Sequence, residues 1–333
     1  MNTPATEPVI GVINAGSSSV KFSFYEGERR ILGGQVDGIG AHPSASATGF
    51  NGEKLDPPDL GKKPSTLPSE VLPAILPWAR EKLGDRRLDA LGHRVVHGGL
   101  HHSRPARVTP ELLAELEALV PLASLHESHN LAPIKMAMRL NPELPQVACF
   151  DTAFHRTAPE VERAFALPYS FYEEGIRRYG FHGLSYEYIA SVLPEYAPEI
   201  ANGRVVVAHL GNGCSACAMQ DRISVATTMG FTALDGLPMG TRCGELDAGV
   251  VLHLIQQKGM SAEQLVDLLY RRSGSPGFRP ISASYWPATI RVRALPSRCF
   301  AIALPAISPR SRQHSAVSTV SCSPPVSARM RRR

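Results

Sequence analysis

Several features that define common protein classes are missing from this 333-residue chain. It has no run of about 18 apolar residues, which a membrane-spanning helix requires. Its first eight residues lack the basic and apolar stretches of a secretory signal. The six cysteines are scattered along the chain, which favours reduced thiols over a disulfide framework. We therefore expect a cytoplasmic protein with no membrane contact and two domains of ordinary size.

Acidic residues are missing from the last part of the chain. Residues 274–333 contain ten Arg and no Lys, Asp or Glu. Because the whole chain has 35 basic and 30 acidic residues, the first 273 residues carry 25 and 30, a net charge of −5. The overall charge of +5 therefore comes from the tail, and it gives no support for a nucleic-acid-binding surface on the body.

The tail also lacks any sustained helical or strand periodicity, so we expect it to be irregular. One explanation is a disordered basic tail. Another is a frameshift, because the codons for residues 287–294 can be read one base out of phase as an acid-containing segment that suits a helix. A third hypothesis, in which the terminal arginines contact nucleic acid or a membrane, requires binding with a steep salt dependence.

The body alternates strand-like and helical patterns, which predicts an α/β fold. The β-branched run Pro8–Asn14 and the alternating run Val20–Tyr25 flank a Gly/Ser turn and predict a hairpin. Further strands are expected at 146–150 and 204–210. Leu and Ile at helical spacing predict helices at 67–83, 110–120, 246–257 and 261–272.

Two glycine-containing loops have the composition of phosphate-binding loops. They are Asn14–Phe22, with the sequence NAGSSSVKF, and His209–Ser215, with the sequence HLGNGCS. Backbone amides and hydroxyls in such loops can surround phosphate oxygens, and Lys21 adds positive charge. A plain hairpin turn is the alternative for the first loop. Cys214 and Cys217 form a lone C-x-x-C, which is a weak indication of a metal site.

Two charged residues lie at or near strand ends. Arg94 lies inside the apolar strand of GHRVVHGG, where a guanidinium needs an anionic partner. That partner could be a bound carboxylate or phosphate, or a structural aspartate. Asp151 directly follows a strand, a position where open α/β sheets bind ligands and where a helix N-cap is also common.

A histidine and an arginine each lie among glycines in later segments. His182 precedes a predicted helix in YGFHGLS, and Arg242 lies in the loop MGTRCGELD. Both could stabilise charge on a transferring phosphoryl group. A structural role is the alternative for His182.

The six segments together, in this order and at these spacings, resemble the acetate kinase family of the sugar-kinase and actin-like superfamily. The resemblance runs from about Val9 to Arg272. It implies two ribonuclease-H-like domains with a cleft between them. The first would span 1–152, the second, incomplete, 153–273, and residues 274–333 would lie outside the family. The implied reaction is reversible, direct in-line transfer of the γ-phosphoryl group of ATP to acetate, giving acetyl phosphate and ADP.

The resemblance also implies roles for individual residues. Asn14 would help to hold Mg²⁺, Arg94 would bind the acetate carboxylate, and Asp151, His182 and Arg242 would be catalytic. The nucleotide would contact Lys21, His209, Leu210, Gly211, Asn212 and Gly213. The alkyl group of the substrate would contact Val96, Leu125 and Phe181. Ala233 stands where a proline is expected, so propionate or butyrate is the alternative substrate.

Some parts of the family pattern are not found in the chain. The family continues with a glycine-rich adenine-binding segment and a late glutamate that shares the Mg²⁺, and neither string is present. The family forms homodimers largely through its C-terminal domain, so we expect an incomplete dimer interface here. An inactive, truncated remnant of the enzyme is therefore the other alternative.

Overall fold

The computed structural model describes residues 7–61, 67–120 and 127–274, together with the backbone of strands at 300–305 and 318–321. The chain divides into two compact units, residues 1–153 and 154–333. The domain boundary expected from the sequence, between residues 152 and 153, lies one residue from this division.

The first unit contains an eight-stranded sheet and three α-helices among its described residues. The strands are β1 (Val9–Ala15), β2 (Ser19–Glu26), β3 (Arg29–Asp37), β4 (Ser44–Thr48), β5 (Lys54–Leu55), β6 (Leu88–Val95), β7 (Ala106–Arg107) and β8 (Gln146–Phe150). The helices are α1 (Leu72–Leu83), α2 (Pro110–Ala118) and α3 (Glu127–Leu140). The strands follow the order β5-β4-β3-β2-β1-β6-β8-β7.

The arrangement of β1, β6 and β8 decides where the polar residues of this unit meet. β1 and β2 form the predicted antiparallel hairpin, with Asn14 opposite Lys21. β6 lies between β1 and β8 and runs parallel to both. The carboxyl ends of these three strands therefore lie side by side at one edge of the sheet, the usual position of ligands in such folds.

Apolar side chains of the first unit form two buried clusters. One contains Phe22, Phe24 and Ile75, and the other contains Leu116 and Phe150. Burying a side chain of this size contributes about 1.5–3 kcal/mol to folding. Residues of β1, β2, β6 and β8 belong to these clusters, so their packing holds the strands of the polar edge in place.

The second unit contains five α-helices and a five-stranded sheet among its described residues. The helices are α4 (Glu160–Arg163), α5 (Tyr169–Glu173), α6 (Gly183–Tyr196), α7 (Ala248–Gln256) and α8 (Ala262–Arg271). The strands are β9 (Arg204–Leu210), β10 (Cys214–Gln220), β11 (Ile223–Thr227), β12 (Phe300–Pro305) and β13 (Ser318–Ser321), in the order β11-β10-β9-β12-β13. Helix α6 packs on β9 and β10 through a buried cluster that includes Tyr186, Leu193, Val207 and Met219.

Two helix starts in this unit follow from their sequence. Asp247 caps α7 by accepting from the Gly249 N–H, and Ser261 caps α8 by accepting from the Gln264 N–H. The Gln264 side chain accepts in return from the Ser261 N–H at 2.8 Å, so the two residues form a capping box. The predicted helices near 246–257 and 261–272 are confirmed.

The tail contains an exception to the irregular structure expected from its sequence. β12 has the apolar sequence FAIALP and runs parallel to β9, and β13 pairs antiparallel with β12. An unpaired edge of β9 would leave backbone amides and carbonyls without partners, and the added strands supply them. The predicted α/β class is confirmed.

No helix in the described part of the chain is long and apolar enough to cross a membrane.

Candidate functional site

Asn14, Arg94 and Asp151 meet at the polar edge of the first unit. Asn14 lies near the end of β1, Arg94 near the end of β6, and Asp151 directly after β8. The Arg94 Nε–H donates to both carboxylate oxygens of Asp151 at 3.1 Å, and Nη2 donates to Oδ2 at 2.6 Å. Nη1 donates to Asn14 Oδ1 at 3.2 Å. The structural Arg–Asp pair that the sequence left open is therefore formed.

This ion pair leaves part of the guanidinium available to a ligand. Arginine has five N–H donors, and the contacts to Asp151 and Asn14 engage three of them. The Arg94 side chain is 27% exposed, whereas Asp151 is buried. Burial opposes the charge of Arg94, but Asp151 outweighs it, so the pKa of Arg94 is raised. A carboxylate ligand could bind to the remaining donors of a cation that is held in place.

Glu127, the first residue of α3, is a buried acid beside this pair. Its Oε2 accepts from the His97 backbone N–H at 3.1 Å, and its Oε1 has no hydrogen-bond partner among the residues that the structure describes. Burial, together with the charge of Asp151, raises the pKa of Glu127 to about 8, and the His97 amide and Arg94 only partly oppose this shift. Glu127 therefore carries a proton at neutral pH.

Asn130, one turn further along α3, ties two strand ends together. Its Oδ1 accepts from the Val96 N–H at 2.9 Å, and its Nδ2 donates to the Ala15 carbonyl at 2.6 Å. One buried amide thus fixes the backbone two residues after Arg94 and directly after Asn14. Sequence reasoning missed both Glu127 and Asn130. The available signal was two polar residues three positions apart at the start of a helix.

The other predicted residues of the first unit lie around this edge. Lys21 is exposed on β2 and opposite Asn14. Val96 is buried directly after β6. Leu125 lies outside the described residues.

The second unit holds His182 in an unusual backbone conformation. His182 precedes α6 with a φ of 62°, in the left-handed region that costs a non-glycine residue energy. Its Nδ1 lies 2.8 Å from Ser215 Oγ, which lies 2.5 Å from the Tyr186 hydroxyl. The preceding residue, Phe181, is buried in this unit. The surroundings thus hold a strained residue in one position.

The loop His209–Gly213 lies directly beside this histidine. The His209 and His182 rings are stacked with centroids 4.1 Å apart, and His209 Nδ1 lies 3.0 Å from Ser185 Oγ. The loop closes as a tight turn in which the Gly211 N–H donates to the Gly213 carbonyl at 3.1 Å. The remaining two loop residues predicted to bind nucleotide are Leu210, which is half-buried, and Asn212, which is exposed.

Gly213 is the point where His182 and Arg242 approach each other. A Cβ atom at Gly213 would lie 3.1 Å from His182 Nε2 and 3.7 Å from Arg242 Nη1. Arg242 Nη1 also donates to the Ala233 carbonyl at 3.0 Å, and burial lowers the pKa of Arg242. The structure therefore brings His182 and Arg242 together at Gly213, which leaves room for both side chains.

Cys214 and Cys217, both on β10, are buried thiols. Burial raises the pKa of Cys214, and it raises that of Cys217 to about 12, so both thiols are protonated at neutral pH. Within the described ranges, no group of three or more His, Cys, Asp or Glu residues could hold a metal ion.

The chain is similar to known proteins over most of its length. The model of the acetokinase family matches residues 9–287. Acetate kinase from Methylocella silvestris is 51% identical over an alignment of 286 positions that covers 81% of this chain and 70% of that protein. Acetate kinase from Nitrobacter hamburgensis is 52% identical over an alignment of 277 positions that covers 81% of this chain and 68% of that protein.

Solved structures show the same relationship. A propionate kinase from Francisella tularensis superposes with a TM-score of 0.73 at 33% identity, over 80% of this chain and 69% of that one. Acetate kinase from Porphyromonas gingivalis superposes with a TM-score of 0.68 at 34% identity, over 80% and 68% of the two chains. The chain belongs to the acetokinase family, as its sequence motifs predicted.

Proposed function

We propose that this protein transfers the γ-phosphoryl group of ATP to acetate, reversibly, giving acetyl phosphate and ADP. A carboxylate oxygen of acetate forms the new P–O bond, and the bond between the γ-phosphorus and the β,γ-bridging oxygen breaks. The bridging oxygen leaves with the electron pair as part of ADP. Acetate is already an anion, so the transfer requires no base. The protein must chiefly neutralise charge and align the reactants.

The observation that carries this proposal is the arrangement around Arg94. Asp151 and Asn14 hold the guanidinium, and two of its donors have no acceptor in the hydrogen bonds of the described residues and would serve a substrate carboxylate. With Glu127 protonated, the pair of Arg94 and Asp151 has no net charge. Asp151 thereby acts in orienting the arginine, and its carboxylate is not needed as a proton acceptor.

The residues around Gly213 would act on the phosphoryl group. Arg242 supplies a cation and His182 a ring N–H at the same glycine, and both suit the negative charge of the three equatorial phosphoryl oxygens. Backbone amides of the loop from His209 to Gly213 would contact the nucleotide phosphates. Lys21 would add charge near the nucleotide.

ATP is the phosphoryl donor implied by a kinase family, and Mg²⁺ is the metal ion that accompanies it in this proposal. Asn14 Oδ1 accepts one hydrogen bond from Arg94 Nη1, so its second lone pair could bind the ion, whereas both oxygens of Asp151 accept from Arg94. Mg²⁺ keeps several waters and binds substrate phosphates, so one protein oxygen suits it. When bound, the ion neutralises phosphate charge. Asn14 fits a role in holding it.

The size of the substrate is proposed to depend on Val96, Leu125 and Phe181. One added methylene changes binding in an apolar pocket by about 1–3 kcal/mol. The superposition on a propionate kinase makes propionate the second candidate substrate. The scattered thiols and the use of ATP favour action in the cytoplasm.

The proposal is tested with the purified full chain, ATP, Mg²⁺ and acetate, with acetyl phosphate trapped by hydroxylamine. We expect turnover with acetate that exceeds turnover with propionate and butyrate. Arg242→Ala should remove it, whereas Arg271→Ala, which replaces an exposed arginine of α8, should not. Wild-type protein without turnover would support the alternative of an inactive remnant and contradict the proposal.

A further inference from the structure

A chain of hydrogen bonds leads from the core of the second unit to His182. It begins at Tyr186, which lies on α6 and is fully buried, and continues through Ser215 on β10, which is also fully buried. The Tyr186 hydroxyl and Ser215 Oγ are 2.5 Å apart, and Ser215 Oγ and His182 Nδ1 are 2.8 Å apart. The three side chains thus form a continuous path that ends at the imidazole.

The direction of the protons along this path follows from its buried end. The backbone N–H of His209 hydrogen-bonds the Tyr186 oxygen, and an N–H can only donate, so the oxygen accepts there. Burial raises the pKa of Tyr186 above its usual range, so the phenol keeps its proton. Ser215 Oγ is the acceptor in reach of that proton among the hydrogen bonds of the described residues.

The serine hydroxyl transmits this direction to the histidine. Ser215 Oγ accepts from Tyr186 and has one proton of its own to donate, and His182 Nδ1 is the acceptor in reach of that proton among the hydrogen bonds of the described residues. A neutral imidazole whose Nδ1 accepts must carry its proton on Nε2. That nitrogen lies on the side of Gly213 and Arg242.

We propose that Tyr186 and Ser215 are positioning residues that hold neutral His182 as the Nε2–H tautomer, with its donor directed to the glycine loop. Under the proposed function, on which this part rests, the N–H donates to an oxygen of the transferring phosphoryl group. The opposite tautomer would direct a lone pair at that anion. This chain of hydrogen bonds from Tyr186 through Ser215 to His182, the relay, thus makes a neutral histidine an oriented donor without an added buried charge.

The tautomer is measured directly by nitrogen NMR of the full chain labelled with ¹⁵N-histidine. His182 is assigned among the 12 histidines by the loss of its signals in His182→Gln. In the wild type at a pH where His182 is neutral, we expect the shift of an unprotonated nitrogen at Nδ1 and of a protonated nitrogen at Nε2. A protonated Nδ1 in the neutral ring would overturn the proposal.

Two variants and one control test the relay itself. Tyr186→Phe removes the hydroxyl that directs Ser215, and Ser215→Ala removes the donor to His182, so both should give neutral His182 a mixture of tautomers. Tyr179→Phe is the control, because Tyr179 is also buried and donates to the Gly175 carbonyl at 2.9 Å, outside the relay. It should leave the His182 signals unchanged. An unchanged single tautomer in Tyr186→Phe and Ser215→Ala would also overturn the proposal.

Kinetics separate this inference from the proposed function. Tyr186→Phe and Ser215→Ala should lower kcat for acetyl phosphate formation by about 10-fold to 100-fold with little change in the KM for acetate, as expected for residues that act through another. Normal kcat with mixed tautomers would refute the positioning role. Nε2–H in an inactive wild type would support the relay and refute the proposed function.

Discussion

The two units of this protein arrange their polar side chains in different ways. In the first unit, Arg94 is held by the buried carboxylate of Asp151, and a second acid, Glu127, is kept neutral by burial. In the second unit, His182 contacts the Ser215 hydroxyl, which in turn contacts the Tyr186 hydroxyl, and Arg242 donates to a carbonyl oxygen and to the sulfur of Met239. Charge pairing orders one region, and a neutral hydrogen-bond chain orders the other.

The difference fits what each region is proposed to bind. A small carboxylate brings one negative charge, so a compensated arginine with spare donors is sufficient and specific. A phosphoryl group in transfer carries more negative charge, so a cation together with an oriented neutral donor is useful there. The same residue type can therefore be expected to have different effects on stability in the two units.

The largest expected effect comes from Arg94→Met. It removes the substrate contact and leaves Asp151 as an uncompensated buried charge. We expect a loss of kcat/KM for acetate of about 10³-fold or more and a destabilisation of about 3–5 kcal/mol. Activity is measured by the hydroxylamine assay and stability by denaturant unfolding.

The double variant Arg94→Met/Asp151→Leu is the control for the charge argument. Replacing a buried ion pair by apolar residues is often neutral, so the double variant should regain most of the stability and none of the activity. A double variant as unstable as Arg94→Met would show that the instability of Arg94→Met does not come from the uncompensated charge of Asp151.

A second expected effect is the pH dependence that Glu127 gives to the first unit. Its pKa is about 8 in the folded chain and near 4.5 when unfolded, so folding takes up a proton between these values. Wild-type stability should therefore fall as pH rises from about 4.5 to 8, by at most about 1.4 kcal/mol per pH unit, relative to Glu127→Gln. Thermal unfolding of both proteins at several pH values measures the difference.

The same titration should affect substrate binding. Above about pH 8, ionised Glu127 adds a negative charge beside Arg94 and Asp151, so the KM for acetate should rise in the wild type and stay flat in Glu127→Gln. Parallel stability curves and parallel KM profiles for the two proteins would contradict the assignment of a neutral Glu127.

The smallest expected effect concerns substrate size. Val96→Ala should make room for one more methylene and raise the preference for propionate over acetate by about 10-fold, equivalent to about 1.4 kcal/mol. Val95→Ala is the matched control, because Val95 is buried in the neighbouring apolar cluster with Leu116 and Phe150. Equal changes in the substrate preference of both variants would show that Val96 does not line the substrate pocket.

The sequence predicted the elements of the fold better than the contacts of the site. The positions of Asn14, Arg94 and Asp151 near strand ends followed from apolar periodicity and turn composition, because both are local properties. Their contact needed only the rule that neighbouring parallel strands end at one edge. The sequence left the partner of Arg94 open, since a bound anion and an aspartate satisfy a guanidinium equally well.

The missed residues depend on burial and on contacts between distant segments. Glu127 has an ordinary helical context in the sequence, and its protonation follows from complete burial, which a single sequence does not reveal. Ser215 and Tyr186 lie 29 residues apart, and the relay forms only because α6 packs on β10. A pattern read along the chain cannot predict the direction of hydrogen bonds across such a contact.

The most direct test of the account compares acetyl phosphate formation by the full-length wild type, Arg94→Met, Arg242→Ala and Arg271→Ala under identical conditions. We expect turnover in the wild type and Arg271→Ala, and a loss of about 10³-fold or more in each of the other two. Of these variants, we expect only Arg94→Met to be strongly destabilised. Turnover that survives either substitution, or a wild type that forms no acetyl phosphate, would contradict the claim that both regions serve this one transfer.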